Sequence, residues 1–196
     1  MSSQVFWFTA RASGIVAWGL AAASVVWGLA LSTRLLGRRP RPAWLLDLHR
    51  FLGGLALSFT GVHVLSVLAD SYVHFSLVNV LVPLTGAWHP LAVAWGIAGM
   101  YLLLAVELTS LARPRVPRRL WRRVHYAGFG VYLMTTVHGL TAGTDGRAPA
   151  FLVANAVVAS LVAGLTASRV AAGGPPGQAR AARAGGGSAR HPALRG

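Results

Sequence analysis

Histidines are the side chains in this chain with the widest scope for chemistry. The sequence has seven of them and no cysteine. The missing thiol excludes disulfides, thiolate metal sites, iron–sulfur ligation and a cysteine nucleophile. Four histidines lie in two strongly apolar stretches, and three do not. The four are His49, His63, His125 and His138; the others are His74 and His89, in a connecting segment, and His191, near the end of the chain.

The spacing of the four histidines indicates two pairs at two heights. His49 and His63 are 14 residues apart, which on an α-helix is a rise of about 21 Å with the two side chains within about 40° of one face. His125 and His138 are 13 residues apart, a rise of about 19.5 Å, but about 140° out of line on an ideal helix. A bend or local unwinding near Gly128 or Gly130 would correct this discrepancy.

The elements that carry these residues are predicted to cross a membrane. The chain is 55% hydrophobic and 11% charged, with a mean hydropathy of +0.57, whereas a soluble domain has about 25% charged residues. A spanning helix needs about 20 apolar residues. We therefore expect an all-α integral membrane protein with a bundle of five transmembrane helices. The five stretches are 12–33, 51–69 with an apolar pattern from Trp44, 91–106 continuing to 111, 124–142 and 148–168.

Two further segments have a different character. Residues 71–88 are apolar but are interrupted by Pro83 and Gly86, which favours a surface-lying or re-entrant segment. The sequence from 172 to 196 is rich in Gly, Ala, Pro and Arg, which predicts a disordered tail. The expected organisation is a helix bundle over residues 1–171, with its core at 44–143, followed by that tail.

The basic residues predict the orientation of the bundle. The formal net charge is +14, and all 18 basic residues are arginine. Positively charged loops remain in the cytoplasm, so we expect the N-terminus outside and the C-terminus inside, in a bacterial plasma membrane. Charge distributed by topology argues against a nucleic-acid partner and places the arginines beside anionic lipid headgroups. Arg11 and Arg147 are on the outer side; the inner side has Arg34, Arg38, Arg39, Arg41, Arg50, Arg113, Arg115, Arg118, Arg119, Arg122, Arg123, Arg169, Arg180, Arg183, Arg190 and Arg195.

This topology makes the second and fourth spans parallel. His49 and His125 then share the inner level, and His63 and His138 share the outer level. Two facing imidazoles suit a six-coordinate haem iron, which takes one axial ligand from each side. A bare divalent cation would prefer further ligands. Two alternatives remain: a haem-free membrane scaffold or assembly protein in which the histidines only pack, and a metal-ion transporter with the histidine column as its path.

Smaller features are open to two interpretations. Glycines border the histidines on their own helices, where they would give a porphyrin room or allow close helix packing; they are Gly53, Gly54, Gly61, Gly128, Gly130 and Gly139. Arg50, Arg122 and Arg123 would pair with haem propionates, although topology already explains their position. Among the acids, Asp70 and Asp145 are expected in solvated outer loops, and Asp47 and Glu107 are expected to pair with loop arginines.

The two histidine stretches resemble the ferric reductase-like transmembrane domain, the family that includes NADPH oxidases and the haem-binding subunit of the bacterial methionine-sulfoxide reductase system. The resemblance rests on HRFLGGLALSFTGVH and HYAGFGVYLMTTVH. It implies two haem b groups, the inner one held by His49 and His125 and the outer one by His63 and His138. It also implies a transmembrane cytochrome b that passes single electrons to an external acceptor.

The chain also departs from the oxidases of that family. Those have six spans and a cytoplasmic flavin- and nicotinamide-binding domain, whereas the segment GGPPGQARAARAGGG has no pattern of a phosphate-binding turn. We therefore expect the electrons to come from a separate inner-side donor, either a flavoprotein, with flavin on the partner, or a quinol.

Overall fold

The protein folds into helices throughout its described regular structure. The computed structural model describes residues 2–33, 43–71 and 73–172. Over these residues there are seven helices and no strand, which confirms the all-α prediction. They are α1 (Ser2–Ser32), α2 (Ala43–Ala69), α3 (Leu77–Leu81), α4 (Pro90–Leu111), α5 (Arg118–Tyr126), α6 (Gly128–Thr141) and α7 (Pro149–Ala172).

Four of the described helices, α1, α2, α4 and α7, are long and apolar enough to cross a membrane. They correspond to four of the five predicted spans. Helix α1 begins about ten residues earlier than predicted, because the apolar sequence before residue 12 continues the same helix. Helix α4 ends at Leu111, as the sequence predicts.

The remaining predicted span, 124–142, is not one continuous helix. It is divided at Ala127, whose amide donates to the carbonyl of Val124 at 2.9 Å. This three-residue bond closes the last turn of α5 before α6 begins. This interruption lies immediately before Gly128, close to the position where the spacing of His125 and His138 predicted a bend or local unwinding. Helix length alone therefore does not establish a fifth span.

The segment before α4 contains no long helix among its described residues. Its helix α3 has five residues and begins with a capping box formed by Ser76 and Asn79. The hydroxyl of Tyr101 in α4 donates to the carbonyl of Leu81 at 2.7 Å. This bond holds the end of α3 against the side of α4.

Small residues bring four helices together at one level. Ala21 of α1, Ala56 of α2, Leu103 of α4 and Val131 of α6 form the buried core cluster, and Ala56 is fully buried. Apolar helices in lipid associate through such close packing. Ala56 lies seven residues after His49 and seven before His63, so the core occupies the level between the two histidines of α2.

The described arginines collect near one end of the bundle. Arg169, in the last turn of α7, donates to the hydroxyl of Tyr126 at the end of α5, at 3.4 Å. At the opposite end, Arg11 of α1 forms an ion pair with Asp145. The predicted inner residues Arg34, Arg38, Arg39, Arg41, Arg180, Arg183, Arg190 and Arg195, and the predicted tail beyond Ala172, lie outside the described residues.

Candidate functional site

The structure brings the four histidines of α2, α5 and α6 together in two pairs. The ring centroids of His49 and His125 are 5.9 Å apart, with an angle of 80° between the ring planes. The centroids of His63 and His138 are 6.2 Å apart, with an angle of 78°. These are the two pairs that the topology indicated. The other candidates do not join them: His74 and His89 lie in the connecting segment with positive φ, and His191 is outside the described residues.

Three of the four imidazoles are held by a backbone carbonyl of a neighbouring helix. Nδ1 of His49 lies 3.1 Å from the carbonyl oxygen of Ser24, Nδ1 of His63 lies 2.7 Å from that of Ala10, and Nδ1 of His138 lies 2.8 Å from that of Ala92. A carbonyl oxygen only accepts, so each Nδ1 carries the proton. Each Nε2 then has a free lone pair, the arrangement of a metal-ligating histidine with an outer carbonyl partner.

A glycine lies beside each of these three rings, four residues after the carbonyl that holds it. A Cβ atom added at Gly14 would be 2.9 Å from Nδ1 of His63, and one at Gly96 would be 2.8 Å from Nδ1 of His138. At Gly28 the added Cβ would be 3.0 Å from Cε1 of His49. Any larger residue at these positions would push the imidazole away, so the glycines form a fitted cradle for the rings.

Helix α1 repeats this support after 14 residues. Ala10 and Gly14 hold His63, and Ser24 and Gly28 hold His49. This interval of 14 residues equals the interval between His49 and His63. Because α1 packs antiparallel to α2, it supports one histidine at each level. Helix α1 contributes no histidine, so the histidine pattern did not predict its role, although the spacing of Gly14 and Gly28 was the available signal. None of the six glycines singled out there faces an imidazole ring.

The fourth imidazole, that of His125, has different surroundings. It stacks on Trp121, one turn earlier in α5, with centroids 4.8 Å apart and planes 19° apart. Its Nδ1 is buried and has no hydrogen-bond partner. The guanidinium of Arg113 lies 4.8 Å from the centre of the Trp121 ring. This end of the bundle therefore presents a cationic, aromatic environment around its histidine pair.

The pair of His63 and His138 lines a mostly apolar cavity between α1, α2, α4 and α6. Arg11, Asp145 and Asp70 also line this cavity. Asp70 is 9% exposed and its Oδ1 has no partner, so the expectation of a solvated loop acid is wrong for this residue.

The other acidic residues have separate partners. Asp145 pairs with Arg11, and Asp47 pairs with Arg50 at 3.3 Å, as expected for an acid beside a loop arginine. Glu107 makes no ion pair with a described residue. Its carboxylate instead occupies the space beside Gly53 on α2.

The donor set and its spacing suit one metal between the rings of each pair. Metal–nitrogen bonds of about 2 Å, together with the radius of each ring, place the centroids of two opposed imidazoles about 6 Å apart. The described residues contain no group of three or more His, Cys, Asp or Glu side chains placed to hold a metal ion. The separation within each pair would therefore fit the two protein ligands of a bis-histidine haem.

Comparison of the chain with protein-family models, with curated proteins and with solved structures gives no match. The resemblance to the ferric reductase-like domain therefore remains a prediction from the two histidine stretches.

Proposed function

We propose that this protein is a transmembrane di-haem cytochrome b. It passes single electrons from a separate inner-side donor, a flavoprotein or a quinol, to an acceptor on the outer side. The observation that carries the proposal is the pair of centroid separations, 5.9 and 6.2 Å. Both match the span of two imidazoles that share one metal.

The residues divide the work between two levels. His49 and His125 would hold the inner haem, and His63 and His138 would hold the outer haem. A haem, when bound, contributes reversible one-electron chemistry at its iron. The carbonyls of Ser24, Ala10 and Ala92 fix the orientation of three imidazoles and raise the basicity of their Nε2 atoms.

The proposed orientation places the arginine-rich end in the cytoplasm. The fifth crossing is placed at 124–142, so that it comprises the end of α5 and the whole of α6. Because the chain has no cysteine, single-cysteine labelling tests this cleanly. In spheroplasts, an impermeant maleimide should label Thr144→Cys and leave Arg115→Cys unlabelled. The reverse pattern would refute the orientation.

Two ligands per site favour haem over a bare ion. A porphyrin supplies four nitrogens itself and needs only the two axial ones, whereas a structural or transported divalent cation takes four or more ligands from side chains and water. A transporter would therefore need ligands that the two histidine pairs do not supply. A scaffold in which histidines only pack would not need free Nε2 lone pairs at matched distances.

Absorption spectroscopy tests the proposal directly. We expect the protein, purified in detergent after haem-supplemented expression, to show a Soret band and a b-type α band on dithionite reduction. The pyridine haemochrome should give two haems per chain. His89→Ala is the matched control, because His89 belongs to neither pair, and it should retain both haems. A colourless wild-type protein would refute the proposal, and bound zinc or iron without porphyrin would support the transporter.

A further inference from the structure

The Nδ1 atom of His125 has no hydrogen-bond partner, unlike the Nδ1 atoms of the other three paired histidines. Three Nδ1 atoms bond to backbone carbonyls, whereas Nδ1 of His125 is buried without a partner. A metal-ligating histidine almost always donates its other N–H to an acceptor. The acceptor for His125 is therefore missing from the protein's own described groups.

Helix α4 does not repeat its support for His138 at the level of His125. The support for His138 consists of Ala92 and Gly96, and the positions 14 residues further on are Val106 and Ser110. At the glycine position Ser110 introduces a hydroxyl, whose oxygen is buried and also lacks a partner.

A third unpaired polar atom lies next to His125. Nε1 of Trp121, the residue whose ring stacks on that histidine, is buried without a partner. An indole N–H can only donate, and a hydroxyl has a proton to donate. Buried polar groups in proteins are normally hydrogen-bonded, so unpaired donors on two stacked rings require an explanation.

The charge around these donors is positive. The guanidinium of Arg113 lies over the Trp121 ring, one turn after Ser110 on α4, and no described carboxylate pairs with it. The neighbouring loop and helix α5 add five exposed arginines: Arg115, Arg118, Arg119, Arg122 and Arg123. The ligand that satisfies these groups accepts several hydrogen bonds and is an anion, which is the chemistry of a phosphate group.

We propose that Ser110, Arg113, Trp121 and His125 form a phosphate-binding site at the arginine-rich end of the bundle. The phosphate comes from a soluble molecule or from a lipid headgroup, and it accepts the N–H of His125. The inference rests on the proposed function in one respect, because ligation at Nε2 keeps the proton of His125 on Nδ1.

Calorimetric titration with inorganic phosphate tests the site. The haem-loaded wild type is kept in dodecyl maltoside, a detergent without phosphate, with ionic strength held constant by sodium chloride. Trp121→Phe keeps a stacking ring but removes the N–H donor, and we expect it to weaken phosphate binding at least tenfold. Arg147→Gln is the control for a change of net charge, because this exposed arginine lies near the opposite end of the bundle, beside Asp145, and it should bind phosphate as the wild type does.

A second arm identifies the source of the phosphate. If the site takes a lipid headgroup, phosphatidylglycerol nanodiscs will shift the reduction potential of one haem in the wild type but not in Trp121→Phe. The proposal is overturned if neither phosphate nor phosphatidylglycerol has an effect, or if Arg147→Gln loses binding as much as Trp121→Phe. A wild type without haem would instead refute the proposed function, so the two failures are distinguishable.

Discussion

Replacing Gly96 by alanine is the sharpest test of the fitted cradle around the outer histidine pair. The added Cβ would lie 2.8, 2.9 and 3.0 Å from three atoms of the His138 ring. Ordinary van der Waals contact begins at 3.4 Å, so the ring must retreat by about 0.6 Å, since atoms in a packed interior cannot overlap.

This displacement of the ring weakens the hydrogen bond that orients the imidazole of His138. Nδ1 of His138 lies 2.8 Å from the carbonyl oxygen of Ala92, and a comparable lengthening brings it to the limit of a useful hydrogen bond. Losing an outer partner of a metal ligand typically costs about 10- to 100-fold in metal affinity, or about 1.4 to 2.8 kcal/mol. We expect Gly96→Ala to lose the outer haem selectively on dilution or detergent washing.

The assay is the haem content per chain, measured as the pyridine haemochrome after gel filtration at decreasing protein concentrations. Gly19→Ala is the control, since a Cβ there meets nothing within 4 Å. Alanine in place of glycine should raise helix stability at that position by up to about 1 kcal/mol. The reasoning is refuted if Gly96→Ala retains two haems with the same dilution profile as Gly19→Ala.

Three other variants probe different parts of the bundle. His63→Ala should lose the outer haem and retain part of the inner one, so that at most one haem per chain remains; two haems per chain in its haemochrome assay would contradict the assigned ligands. Trp18→Phe removes the bond from Nε1 of Trp18 to the hydroxyl of Thr136 at 2.9 Å, and should lower the free energy of unfolding by about 0.5 to 1.5 kcal/mol, measured by denaturant titration in detergent. Asp145→Asn breaks the partly exposed pair with Arg11; we expect a loss of only about 0.2 to 1 kcal/mol, so a larger fall in the unfolding midpoint would contradict this estimate.

The sequence best predicted those features of the fold and the site that depend on a single physical rule. Apolar length gave α2 and α4 nearly to the residue, because a membrane admits only long helices with internally satisfied backbones. The pairing of His49 with His125 and of His63 with His138 followed from the alternating direction in which successive helices are predicted to cross the membrane. That prediction required no knowledge of side-chain packing.

The features that the sequence did not reveal depend on contacts between helices. The carbonyls of Ala10, Ser24 and Ala92 carry no side-chain signal, because every residue has the same acceptor. The division at Ala127 was indicated only indirectly, by the angular mismatch between His125 and His138. The burial of Asp70 depends on how the following segment packs, which composition does not encode.

The supports for the histidines have a consequence for assembly. His49 and His63 are held entirely by α1, and His138 is held by α4, so three of the four histidines are oriented within their own half of the protein. Helix α1 also packs more extensively on α2 than on any other helix, and α4 packs more extensively on α6 than on any other helix. Each half can therefore form as a hairpin with these three imidazoles already oriented, and cofactor insertion becomes the late step that joins the halves. Two fragments divided between Asp70 and His89 and expressed together should accordingly associate in response to haem supply.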